Sequence, residues 1–164
     1  MSEIIKVLYV QPKKKPEVRY IENTQKAFKG LVDGTIKDHY PFRGRTVFII
    51  NGTAKKVGGQ REGSPPNRTI RSITGGIKEI ILCSFIICGK RRGRYVSLTT
   101  REIKRFSTMF QKPEVFYPIG NGEMKIWTIA DDEHYTERII KYEKYLQDDD
   151  DNSSQPVDTG SGRE

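Results

Sequence analysis

Ile4, Ile5, Val7, Leu8, Tyr9 and Val10 form an almost unbroken apolar run in a chain otherwise rich in lysine and arginine. So dense a stretch of β-branched and aromatic residues predicts an opening strand over 4–10, with QPKKKP after it as a stiff, solvated connection. PEVRYIEN reads as extended and leads into a short helix over 24–32, where Ile21, Phe28, Leu31 and Val32 share a face and Asp33-Gly34 ends it. TIKDHYPF and RTVFIIN predict two more strands. Asn51-Gly52 is a strong turn signal, so AKKVG is expected to return antiparallel to 46–51. IKEIILCSFIICG predicts the central, most buried strand, KRRGR a basic turn, and YVSL the arm that closes a hairpin.

The clearest helix is TTREIKRFSTMF. Thr99 and Glu102 have capping-box spacing, Ile103, Phe106 and Phe110 make one apolar stripe, and Pro113 stops it. MKIWTIA predicts a late strand. Beyond it Tyr135, Ile139, Tyr142 and Leu146 follow i, i+4, i+7, i+11, which predicts a last helix with Asp131 and Asp132 as caps. The sum is one α+β domain over 1–146, a mainly antiparallel sheet with two or three helices packed on it. Residues 147–164, QDDDDNSSQPVDTGSGRE, lack the apolar side chains to offset the entropy of ordering and are expected to form a disordered acidic tail.

Charge changes this picture. The tail carries a net −5 while the whole chain carries +8, so residues 1–146 hold +13. That excess favours anionic partners: phosphate, nucleic acid or an acidic protein face. No run approaches the roughly 20 apolar residues of a membrane span, and residues near the N-terminus lack the long apolar core expected of a signal peptide. Cys83 and Cys88, placed on one strand five residues apart, point to opposite faces and cannot bridge. Two buried free thiols suit a reducing, cytoplasmic setting.

Catalytic chemistry finds little support. His39 and His134 have no partner at metal-ligand spacing, and no serine or cysteine sits in a nucleophile motif. No glycine pattern matches a Walker or dinucleotide loop. A binding protein without cofactor or metal is expected rather than an enzyme.

The segment GGQREGSPPNRTIRSITGG, residues 58–76, is long and basic for a connection inside a compact domain. Its glycines can turn backbone N–H groups inward and its arginines offer planar forks to phosphate. Lys55, Lys56, Arg61, Asn67, Arg68 and Arg71 are therefore candidate ligand-binding residues. The alternative is structural: Asn67 caps a turn and Arg68 pins the loop to a carboxylate. Two further basic groups, Arg43 and Arg45 in YPFRGR and Arg91, Arg92 and Arg94 beside Tyr95, offer arginine next to an aromatic, which suits base stacking with phosphate contact. Ordinary charged hairpin tips would read the same way.

Several landmarks together resemble the domain-of-unknown-function family 3846. They are a strand ending at Pro12, Ile21 with Asn23 before a short helix, a strand ending at Asn51, the Asn67-Arg68 pair, and an apolar strand ending at Gly89. The resemblance spans roughly 4–115, leaving 116–146 as a strand-helix extension, and the GGQREGSPP stretch looks longer than a usual member's. It implies a setting in bacteriophages and conjugative elements, hence an accessory role inside a bacterial host, in counter-defence or replication. It implies no activity. Three readings stand open: a binder of a phosphate-bearing nucleotide through 55–71, a sequence-tolerant nucleic-acid binder using all three basic groups, and an inhibitor that docks on a host defence protein.

Overall fold

The computed structural model describes residues 2–54, 64–129 and 135–141, the last of these as backbone. Eleven strands and two helices run in the order β1 (Ile4–Val10), β2 (Glu17–Glu22), α1 (Gln25–Val32), β3 (Ile36–His39), β4 (Thr46–Asn51), β5 (Pro66–Arg71), β6 (Ile77–Leu82), β7 (Phe85–Arg91), β8 (Arg94–Val96), α2 (Thr100–Met109), β9 (Glu114–Gly120), β10 (Glu123–Ile129) and β11 (Tyr135–Lys141). The main sheet has the order β2-β1-β7-β4-β3, with β8 hanging on β7, and every pairing is antiparallel. The α+β class therefore holds, with more strand than the sequence suggested.

β1, β4 and β7 read as continuous apolar runs because both faces of this sheet are covered. Ile5, Val7, Tyr9, Val47, Ile49, Ile86 and Cys88 point one way and pack on Phe28 and Val32 of α1. The alternate residues Leu8, Val10, Phe48, Phe85 and Ile87 point the other way and meet Phe106 and Phe110 of α2 with Ile70 and Ile81 of the β5–β6 hairpin. At the centre of that second layer Phe48 stacks on Phe85 at 5.5 Å and meets Phe106 and Phe110 edge-on. The opposite side of the β5–β6 hairpin, through Ile80 and Leu82, packs on Met124 and Ile126 of the β9-β10-β11 meander.

Both helices begin as their sequences predict. Thr24 caps α1 through a bond from Ala27 N, and Asp33 ends it in the left-handed region at φ 61°. Thr99 and Glu102 form the reciprocal capping box of α2.

Two elements differ from expectation. IKEIILCSFIICG is not one strand. Cys83 adopts φ 67°, and the chain leaves the β5–β6 hairpin there to enter the main sheet as β7. Cys83 accordingly lies in the bend between β6 and β7 while Cys88 is on β7, and Cys83 is half-buried where full burial was expected. The last helix is the second correction. Residues 135–141 form β11, paired with β10 in the register Trp127↔Glu137 and Ile129↔Tyr135. A spacing of four satisfies a two-residue period as well as a helical one, and YTERIIK carries the β-branched and aromatic content of a strand. β9, which the sequence reading passed over, completes that meander. The expected return arm 54–58, apart from Ala54, and the acidic tail lie outside the described residues.

Candidate functional site

The six candidates between 55 and 71 separate. Lys55, Lys56 and Arg61 lie outside the described residues. Asn67, Arg68 and Arg71 belong to strand β5 instead of a loop. Arg68 is 1% exposed, the bulkiest side chain buried to that degree. Its guanidinium is ringed by acceptors of the protein itself. Nε and Nη2 donate to the carbonyl of Phe110 at 3.2 and 3.0 Å, and Nη2 also donates to Lys14 O at 2.5 Å. Nη1 donates to Asn67 Oδ1 at 2.9 Å and Asn67 O at 3.3 Å.

Burial lowers the Arg68 pKa to about 10, and the charge of Glu114 pulls it back upward. A guanidinium has five N–H groups, and every one of its three nitrogens here is engaged. As folded, Arg68 fastens the β1–β2 turn and the C-terminal carbonyl of α2, where a cation also complements the helix dipole.

Asn67 is fully buried and works the same way, donating to Val10 O at 2.9 Å and Cys83 O at 2.8 Å. Pinning by Arg68 was the structural alternative, but its acceptors are carbonyls and not a carboxylate. The carboxylate goes to its neighbours. Glu114, 5% exposed, accepts from Thr69 N at 2.7 Å, Thr69 Oγ1 at 2.9 Å and Arg71 Nη2 at 3.2 Å.

The other two basic groups come together. β4 and β7 pair as Thr46↔Gly89, and Lys90 N donates to Arg45 O at 2.6 Å, which carries the 40–45 loop to the base of the β7–β8 hairpin. That hairpin turns through Arg92 at φ 53° and Gly93 at φ 78°, the signs of a type I′ turn, with Arg91 paired to Arg94. Arg45 itself is a strut. It grips Glu102 of α2 with two bonds, at 2.9 and 2.8 Å, and donates to Ser97 O at 2.8 Å. The bond to Glu102 raises its pKa. Gly89 is required beneath it, since a Cβ there would lie 2.8 Å from Arg45 Nη1.

Tyr95 is committed too. Its hydroxyl donates to Asp38 and its ring meets Phe28 edge-on at 5.1 Å, so burial and that bond hold the phenol well above its ordinary pKa. Tyr40, 53% exposed, is the aromatic of YPFRGR that stands open beside this corner. Arg43, Arg91, Arg92 and Arg94 are exposed. Through Arg45 they adjoin α2, whose outer side carries exposed Arg101, Lys104 and Arg105. These three were also missed, because a helix face with lysine and arginine reads as ordinary solvation until its neighbours are known. Three local carboxylates are paired: Glu102 with Arg45, Asp38 with Lys90, and Glu3 with Arg94 at 3.7 Å.

A cavity of about 400 Å³ opens on the far side of α2, lined by Phe42, Arg71, Thr108, Met109, Lys112 and Glu114 among others. Phe42 connects it to the basic corner, because Arg105 lies over the Phe42 ring at 5.3 Å.

An antiparallel sheet clasped between two capped helices, presenting an arginine-rich corner and an adjoining cleft, defines a small α+β domain. The chain belongs to the family described as domain of unknown function (DUF3846), whose model matches residues 5–111. The match runs from β1 through the C-cap of α2, so the β9-β10-β11 meander lies beyond it. No curated protein and no solved structure matched the chain.

The landmarks of the resemblance acquire a physical meaning here. Asn23 Nδ2 bonds Tyr95 O at 2.9 Å, Asn51 Nδ2 bonds Val32 O at 2.8 Å, and Asn67, Arg68 and Gly89 act as described. All five hold the fold. Among the described residues no helix is long and apolar enough to cross a membrane.

Proposed function

We propose that this protein binds nucleic-acid strands without strong sequence preference, as a non-enzymatic accessory factor of a phage or mobile element. The observation that carries this reading is the meeting of two separate basic segments at Arg45. The 40–45 loop and the β7–β8 hairpin adjoin the arginine-bearing face of α2, where Glu102, Asp38 and Glu3 are paired with Arg45, Lys90 and Arg94.

Exposed arginines supply phosphate contacts that are indifferent to sequence. Tyr40, close to Lys90 at 5.9 Å from ring centre to Nζ, offers a ring on which a base can stack. A surface of this kind favours strands over small ligands, because its affinity sums many weak contacts. The engagement of Asn67 and Arg68 within the fold weighs against a nucleotide site built on those two residues.

Fluorescence anisotropy with labelled single-stranded DNA and RNA, repeated across salt concentrations, tests the reading. Binding whose logarithm falls linearly with log salt, by about 0.7 per phosphate contacted, supports it. Salt-independent binding, or none at low salt, refutes it and turns attention to docking on a host protein.

A further inference from the structure

The cavity beside α2 differs in character from the basic corner. Part of its lining is polar and cationic. Arg71 Nη2 donates to Glu114 at 3.2 Å and Nη1 makes only a long contact to Gly75 O at 3.5 Å. Its side chain is 32% exposed, so among the described residues a share of its five N–H donors remains open to the cavity. Lys112 is exposed at the rim and forms no ion pair among the described residues. The Thr108 hydroxyl lies on the same wall.

The lining also includes two apolar side chains, Phe42 and Met109, the latter 42% exposed. Glu114 sits in the wall, but the Thr69 and Arg71 donors compensate it, and the buried Arg68 guanidinium adds a further positive charge behind it. Three cations against one carboxylate leave the cavity positive. Its size, about 400 Å³, lies in the range of small-molecule sites.

We infer that this cavity binds a phosphomonoester that also carries a planar ring, the chemistry of a nucleoside monophosphate. The phosphate is held by Arg71 and Lys112, and the planar part lies between Phe42 and Met109. Thioether and aromatic walls accept a planar ring through dispersion and tolerate variation in its edge. The phosphate gains a forked donor from Arg71 and a point charge from Lys112. The same chemistry is offered by a free nucleotide and by the phosphorylated end of a strand. Apart from Phe42, the lining residues named belong to neither the 40–45 loop nor the hairpin, so this site stands whether or not the basic corner binds strands.

The test is isothermal titration of the full chain with AMP, adenosine and inorganic phosphate. It is joined by anisotropy with one short oligonucleotide bearing either a 5′-phosphate or a 5′-hydroxyl. AMP is expected to bind at least about tenfold more tightly than adenosine or phosphate, as expected when a charge-assisted bond and a stacking contact are both needed. Lys112→Glu, at an exposed position, is expected to abolish AMP binding with the melting temperature unchanged. Arg71→Lys is expected to weaken it at least about tenfold, since a point charge does not reproduce the fork.

A 5′-phosphate that tightens oligonucleotide binding, with the gain lost in Lys112→Glu, identifies a strand end as the source. A 5′-phosphate without effect, beside tight AMP binding, identifies a free nucleotide. AMP binding no tighter than phosphate, or unaltered in a folded Lys112→Glu variant, overturns the proposal. Variants at Arg91 and Arg92 report on the basic corner alone and are expected to leave AMP affinity unchanged.

Discussion

Arg68 Nη1 donates to Asn67 Oδ1 at 2.9 Å, and through this contact two adjacent buried polar side chains become a single clasp. Asn67 reaches Val10 and Cys83, and Arg68 reaches Lys14 and Phe110. The clasp joins the end of β1, the following turn, the β6–β7 junction and the end of α2. Its members are polar because what needs joining at this point is backbone carbonyls from four segments. Apolar side chains cannot satisfy them.

Replacing Arg68 with Ala is expected to destabilise the domain by about 3–5 kcal/mol. The change removes a packed side chain and leaves the carbonyls of Lys14 and Phe110 without donors. Arg68→Lys is expected to recover little, because an ammonium sets its three donors on one nitrogen and cannot span acceptors that the guanidinium reaches from three. Urea denaturation measures both. A loss below about 1 kcal/mol for Arg68→Ala would show that the clasp is dispensable.

The two thiols are expected to part company. Cys88 is fully buried and its pKa is pushed up to about 12 by burial, so at pH 8 its thiolate fraction is about one in ten thousand. Cys83, half-buried at the junction of the sheets, is raised by burial as well, but reagents can reach it. Mass-resolved labelling under native conditions should modify Cys83 first and Cys88 only as fast as the domain opens. Equal rates would count against this packing.

The same thiol sets an alkaline limit. Below pH 9 Cys88 is protonated in both folded and unfolded chains and its contribution is intact. Between pH 9 and about 12 the unfolded chain releases the proton and the folded one keeps it, so stability falls as pH rises. Comparing wild type with Cys88→Ala by urea denaturation isolates the effect. The wild-type advantage at pH 8 should shrink at pH 10.5, and a constant difference would be contrary.

Combining Arg91→Ala, Arg92→Asn and Arg94→Ala should remove about three phosphate contacts. The salt slope of strand binding then flattens by about 2. Asn suits the left-handed φ of 53° at position 92 better than Arg, so the melting temperature should hold or rise. A large drop in melting temperature would mean the hairpin arginines serve the fold.

Much of this fold could be read from local pattern. β1 and β4 announce themselves by apolar density, α1 by the shared face of Phe28, Leu31 and Val32 with Asp33-Gly34 at its end, and α2 by Thr99 and Glu102 at its start. The break at Cys83 could not be read, because a run buried on both faces has no period to interrupt. β9 hid behind Pro118 and Gly120, which a strand tolerates here because β9 is at the edge of its sheet. Arg68 was legible as important and illegible as buried, since a charge in sequence signals solvent unless its acceptors are known. The two basic groups of the corner could be named from sequence, but their meeting could not. The 40–45 loop and the β7–β8 hairpin come together only once β4 pairs with β7, and α2 joins them only through the grip of Arg45 on Glu102.

The place of β7 between β1 and β4 carries a consequence for how the chain is made. As it leaves the ribosome the protein first produces two hairpins, β1–β2 and β3–β4, each with one edge meant for a strand that does not yet exist. Until residues 85–91 emerge, both hairpins expose apolar edges that can be satisfied only by each other or by a foreign chain. Long-range pairings of this kind form slowly, and unpaired edges invite aggregation. A ribosome that pauses just before β7 should therefore leave a nascent chain that binds chaperones. One that pauses after β8 should release a sheet already closed on its central strand.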